Sequence, residues 1–147
     1  MSSVFSPIQN DPKLCNGSET PLECEYRLHK PIFAFINMGT NWCKNCSASF
    51  EEYLRKIVDF SIQQGIIPIL GTKADNMEGD HRLNEAVAKV AYDYDVPMWN
   101  FWAAVQYLPN HGLEEDNIYL TVDGWNERSF TGLQSLDALW TALIALP

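Results

Sequence analysis

Ile32-Phe33-Ala34-Phe35-Ile36, running on into Asn37-Met38-Gly39-Thr40-Asn41, is the stretch on which the fold turns. Five consecutive apolar residues that stop at polar ones and a glycine predict a strand covered on both faces, as in a parallel sheet. Downstream, Ser49-Phe50-Glu51-Glu52 has the form of a capping box, a helix start in which serine and glutamate satisfy the first free N–H groups. Phe50, Leu54, Ile57, Val58 and Ile62 recur at helical spacing, with Glu51/Arg55 and Glu52/Lys56 four apart on the outer face. Gly65 ends that helix, and Ile66-Ile67-Pro68-Ile69-Leu70 predicts a second strand. Leu83, Ala86, Val87, Val90, Ala91 and Tyr94 mark another one-sided helix, and Val96-Pro97-Met98-Trp99-Asn100-Phe101 a third strand. A loop-rich segment from Pro109 to about Ser129 leads to a last helix with Leu133, Leu136, Trp140, Leu143 and Ile144 inward. Alternating strands and helices imply an α/β domain with parallel pairing. In such a sheet chemistry gathers at the carboxyl ends of the strands, here Gly39–Asn41, Thr72–Asp75 and the region after Phe101.

Residues 1–30 carry Pro7, Pro12, Gly17 and Pro21 with little periodicity and read as an irregular N-terminal arm. Residues 31–147 form the α/β domain, and 147 residues at 46% hydrophobic suffice for one real core. A net charge of −9 and a pI near 4.6 argue against a nucleic-acid partner, which wants a basic face. No apolar run approaches the roughly 20 residues that span a bilayer, so no transmembrane segment is expected. Met1-Ser2-Ser3-Val4-Phe5 has neither the basic nor the apolar region of a signal peptide.

Four cysteines allow three pairings, and spacing does not choose among them. Cys15 and Cys24 flank a turn-rich loop of the kind a disulfide staples, and their pairing is the expectation adopted. That favours an exported, oxidising setting, with any export signal on sequence outside this chain. Cys43 and Cys46 form a Cys-x-x-Cys, read as a local disulfide or inert thiols. The unequal spacings of the two cysteine pairs speak against a zinc site, and neither a metal nor another cofactor is expected.

Gly39-Thr40-Asn41, the Gly65–Leu70 strand with Thr72-Lys73-Ala74-Asp75-Asn76, and Leu108-Pro109-Asn110-His111-Gly112-Leu113 followed by Asp116 and Tyr119 resemble, in this order, the later part of a GDSL/SGNH hydrolase. The resemblance implies a three-layer flavodoxin-like fold, here with an incomplete parallel sheet of about three strands flanked by helices. It also implies acyl transfer from an ester to serine and then to water. Asn41 matches the family's oxyanion-hole asparagine, whose amide would stabilise the tetrahedral oxyanion. Asp116 matches the triad acid, and Tyr119 stands where the family has histidine. A phenol stays protonated at neutral pH and cannot take a serine proton as imidazole does. His81 and His111 are the nearby substitutes, and the latter reaches the site only by rearrangement. No Gly-Asp-Ser nucleophile block precedes Gly39, and Ser47, Ser49 and Ser61 lack its context. The expected function is therefore a truncated or degenerate hydrolase-like domain, non-catalytic alone, serving as a structural or binding subunit. An alternative is a fragment of an active serine esterase whose nucleophile lies upstream.

A second alternative follows from Trp42-Cys43-Lys44-Asn45-Cys46, which looks like a thioredoxin active site, with Val96-Pro97 in the place of that family's cis-proline. A cysteine at a helix N-terminus is activated by a lowered pKa. Against it, the long segment from Ala103 to Ser129 has no place in a minimal thioredoxin. Trp42, Trp99, Phe101, Trp102 and Trp125 are expected mainly in core and rim packing, with an acyl or glycan cleft as the other use of such a set. The resemblance also leaves residues 32–36 at the sheet margin, since the family's first two strands have no counterpart here. The arm, another polypeptide or a second copy of the chain is expected to cover that edge and bury Phe33 and Phe35.

Overall fold

A computed structural model of the chain describes residues 2–40 and 47–145. Its elements are α1 (Pro21–His29), β1 (Phe33–Asn37), α2 (Ser47–Gln63), β2 (Ile67–Gly71), α3 (Arg82–Tyr94), β3 (Met98–Trp99), α4 (Phe101–Ala104) and α5 (Val122–Ile144), with short 3-10 turns at Ser2–Phe5, Pro7–Gln9 and Pro109–Gly112. The three strands form one parallel sheet in the order β1-β2-β3, with Phe35 beside Ile69 and Gly71 beside Trp99. The fold is α/β, as the alternation of strand and helix patterns predicts.

The pleat divides the core. Ile36 and Leu70 point to one face and join Phe50, Leu54, Ile57 and Val58 of α2 and Leu83, Val87 and Val90 of α3. Ile69 and Trp99 point to the other, where Phe101, Val105 and Leu113 complete a second cluster with Leu136 and Leu139 of α5 against it. Neighbouring residues of one strand thus serve opposite layers, because strand side chains alternate. On the outer face of α2, Arg55 pairs with Glu51 at 2.7 Å and Lys56 with Glu52 at 2.6 Å. Glu51 also takes Lys89 at 2.8 Å, and the Lys89 and Arg55 hydrogen bonds hold its carboxyl below the usual range.

Several expectations are corrected. Helix α2 already includes Ser47, so Ser49 lies inside it and is not its cap. The capping box is instead at the start of α1, where Glu23 N–H donates to Thr20 Oγ1 and Thr20 N–H to Glu23 Oε2. The arm is accordingly not irregular throughout. The Cys15–Cys24 disulfide ties its loop to α1. Tyr26 of α1 stacks on Phe60 at 5.8 Å and hydrogen bonds Ser61 at 2.7 Å, which docks the arm on α2. The third strand is only two residues long, because Asn100 caps α4 by accepting from Ala103 N–H and so turns Phe101 into a helix.

The inward face of α5 also differs from the expectation. Leu136 and Leu139 pack inward, while Leu133, Trp140 and Ile144 are exposed at 66%, 47% and 64%. The reason is a close approach at small residues: Gly132 lies against the Trp99 ring, and Thr131 accepts from Trp99 Nε1 at 3.0 Å. β1 has a strand neighbour on one side only among the described residues. In the lone chain Phe33 is half-buried, and Phe35, though in edge contact with Trp99, remains 41% exposed. Among the described residues no helix is long and apolar enough to cross a membrane.

Candidate functional site

The carboxyl ends of the strands are laced together by side chains that cap the sheet. Gly71 closes β2 where a side chain would collide: a Cβ there would sit 2.9 Å from Asn37 Nδ2 and 3.0 Å from the Trp99 ring. Asn37 Nδ2 donates to Thr72 O at 2.8 Å. Thr72 Oγ1 donates to Asn100 Oδ1 and accepts from Trp102 N–H, which joins the ends of β2 and β3. Asn84 of α3 accepts from Lys73 N–H at 2.9 Å and donates to Lys73 O at 3.0 Å, standing in for a missing strand neighbour.

Below this lacing is a buried ionic cluster. Lys73 Nζ contacts Asp75 Oδ1 at 2.5 Å, Asp75 O at 3.0 Å and Glu78 Oε2 at 2.6 Å, and all three side chains are under 5% exposed. Thr40 Oγ1 donates to Asp75 Oδ2 at 3.0 Å, so the turn after β1 is fastened to the turn after β2. One lysine faces two carboxylates, and Glu78 Oε1 is buried without a partner among the described residues. Such a cluster is expensive to desolvate and holds only while every charge keeps its partner. Its effect is to fix the backbone of residues 72–81, on which Asn76 and His81 ride.

Asn76 and His81 lock each other. Asn76 Oδ1 accepts from His81 N–H at 3.0 Å, and Asn76 Nδ2 lies 3.1 Å from His81 Nε2. His81 adopts the left-handed backbone region, φ +57°, and its ring meets Trp102 edge-on at 5.3 Å. Across from this pair the Pro109–Gly112 turn carries three successive left-handed residues, Asn110, His111 and Gly112. Asn110 Nδ2 reaches Leu113 O, Glu114 O and Asn117 Oδ1, each at 3.1 Å, and so holds the loop in shape. Between the two walls lies a cleft of about 440 Å³ lined by Ala74, Asn76, Met77, His81, Trp102, Gln106, Asn110, His111, Leu113 and Asn117. A shallower recess of about 270 Å³ lies beyond it, with His81 and Trp102 common to both. Among the described residues, none that lines the larger cleft carries a carboxylate, ammonium or guanidinium group.

The residues singled out from sequence fall in different places. Asn41, Trp42, Cys43 and Cys46 lie outside the described residues. Asp116 Oδ1 accepts from the N–H groups of Ile118 and Tyr119, at 2.9 and 3.1 Å, in a turn of its own making. Tyr119 is 69% exposed, and neither residue lines the cleft. Both substitute histidines do line it. Ser61 is buried against Tyr26 and Ile57 O, away from the cleft lining. Trp99 and Phe101 are core, Trp102 is a cleft wall, and Trp125 is exposed beneath the Arg128 guanidinium. The peptide bond before Pro97 is trans. Cys15 and Cys24 are bonded to each other, which leaves neither as a thiolate ligand for a metal. Sequence reasoning did not identify Asn76, Met77, Gln106, Asn110 or Asn117 as cleft residues, nor the Lys73–Asp75–Glu78 cluster. The spacing of a lysine and two acids directly after a buried strand was the available signal for that cluster. No protein-family model matches the chain, and no curated protein does.

Proposed function

We propose that this chain is a degenerate SGNH-hydrolase-like α/β domain that binds a neutral, hydroxyl-rich ligand at the carboxyl edge of its sheet and does not hydrolyse esters alone. The observation that carries the reading is that the described lining of the 440 Å³ cleft has no carboxylate, ammonium or guanidinium group, in a chain of net charge −9. An ion entering it would lose hydration without meeting a carboxylate, ammonium or guanidinium partner among the described lining residues, which favours neutral ligands. Carboxamides both donate and accept, which suits hydroxyl groups, and the Trp102 ring gives an apolar wall for the C–H face of a sugar. The volume lies within the range of about 300–1,000 Å³ typical of small-molecule sites. The non-catalytic part of the reading is supported by Asp116, whose carboxylate is engaged in its own turn and not in orienting a base. An extracytoplasmic setting is part of the proposal, supported by the Cys15–Cys24 disulfide.

The test is calorimetric titration of the full chain with a panel of neutral mono- and oligosaccharides, with charged sugars and short acyl esters alongside. Saturable binding of a neutral saccharide, lost in Trp102→Ala, is the expected result, together with no turnover of p-nitrophenyl acetate above a serine-free control. Binding of charged ligands alone would overturn the ligand assignment. Ester turnover abolished by Asn41→Ala would overturn the non-catalytic assignment. Insulin reduction lost in Cys43→Ser would replace both with thiol–disulfide exchange.

A further inference from the structure

We infer that β1 is a self-pairing edge, through which two copies of this chain associate antiparallel about a two-fold axis near Phe35. The first support is the direction of the backbone. Ile32 C=O accepts from Ile67 N–H at 2.9 Å, so Ile32, Ala34 and Ile36 face β2. Phe33, Phe35 and Asn37 therefore turn their N–H and C=O groups to the open side, where no described residue bonds them. The second support is exposed apolar surface on this strand: Phe35 stays 41% exposed even in edge contact with Trp99, and Ile32 at the strand entrance is exposed as well.

The third support is charge, and it selects the occupant. The chain has 19 acidic residues, yet none lies between Lys30 and Glu51. A basic partner would find no carboxylate along this strand, while a second acidic copy meets no like charge there. Antiparallel pairing about Phe35 sets Phe35 against its counterpart and Phe33 against Asn37 of the other copy, and it extends the sheet from three strands to six. Ile32, 52% exposed at the strand entrance, is the flanking apolar contact.

The experiment is sedimentation equilibrium of the full chain, with hydrogen exchange of individual amides across a hundredfold concentration range. A dimer is expected, with the amides of Phe33, Phe35 and Asn37 protected at high concentration and exchanging at least tenfold faster on dilution. Phe35→Lys should give a monomer, since it places two ammonium groups on the axis. Ile32→Glu, at an exposed side chain, should weaken association at least tenfold with the circular dichroism spectrum unchanged, which covers the case in which Phe35→Lys fails to fold. A monomer at all concentrations overturns the inference. So does a dimer that survives Ile32→Glu with these three amides unprotected, which would place the contact elsewhere, as on the exposed Leu133 and Trp140 of α5.

Discussion

Lys73 shows how a single side chain sets the shape of the cleft without lining it. Its ammonium joins two buried carboxylates, and the loop that carries Asn76 and His81 follows from those contacts. Lys73→Met would strand both acids in the interior, and loss of one partner of a buried ion set costs about 3–5 kcal/mol. Urea unfolding should show that loss, whereas Lys56→Met, at an exposed helix pair, should leave the midpoint unchanged; equal effects would show that burial of the cluster is not what matters. Glu19 is the residue whose titration reports on the arm. The Arg27 hydrogen bond, then that of Asn16 N–H, lowers its carboxyl from an ordinary 4.5 to about 2. A depressed folded value means that its contribution is complete above pH 4.5 and is lost as the pH falls toward 2. Carboxyl-carbon NMR should give a midpoint near 2, and Glu19→Gln should abolish the matching acid shift of the Asn16 amide; a midpoint near 4.5 would show the pair to be unformed. The residues of the cleft were only half legible in the sequence. Asp116 and Tyr119, which the family resemblance suggests, do not line the cleft, and Asp116 instead turns its carboxylate onto its own backbone. His81 and Trp102 meet through contacts between segments some twenty residues apart, which local pattern does not encode.

Elements with a continuous or one-sided apolar pattern were read from sequence to within a residue or two, because burial on both faces of β2 and on one face of α3 leaves no other arrangement. The failures come where a local signal competes with packing. The serine–glutamate pattern at Ser49 fits a cap, but α2 begins earlier and buries Phe50 and Leu54. The apolar residues of α5 surround much of the helix, so periodicity did not choose a face. The choice was made by glycines. A Cβ on Gly124 would lie 2.2 Å from Gly112 O, and Gly112 itself has φ +72°. The first turn of α5 can therefore touch the Pro109–Gly112 turn only while both positions lack side chains. Gly124→Ala must push the helix off that turn, at about 1–3 kcal/mol for an overpacked contact. Because the displaced turn carries Asn110 and His111, the variant should also weaken ligand binding at the cleft. Thermal unfolding and calorimetric titration of the cleft together check this, and an unchanged melting point would mean that the helix does not sit so close.

At the scale of the molecule, the decisive contrast is between a chain of net charge −9 and a margin of the sheet that carries no acid. Two copies brought together at β1 bring two bodies of net charge −9 into contact, and the repulsion between them is screened over a length of about 10 Å at 0.1 M salt. The backbone pairing and apolar contact at the strand are insensitive to that screening, and the repulsion between the two acidic bodies is not. Association should therefore tighten as sodium chloride rises from about 0.05 to about 0.5 M, where the screening length falls from about 14 to about 4 Å. An interface made by ion pairs behaves in the opposite way, weakening as salt is added. Sedimentation equilibrium across that range checks the sign directly. A dissociation constant that falls with salt supports an uncharged edge joining two acidic bodies, and one that rises would mean that charged groups outside β1 hold the copies together.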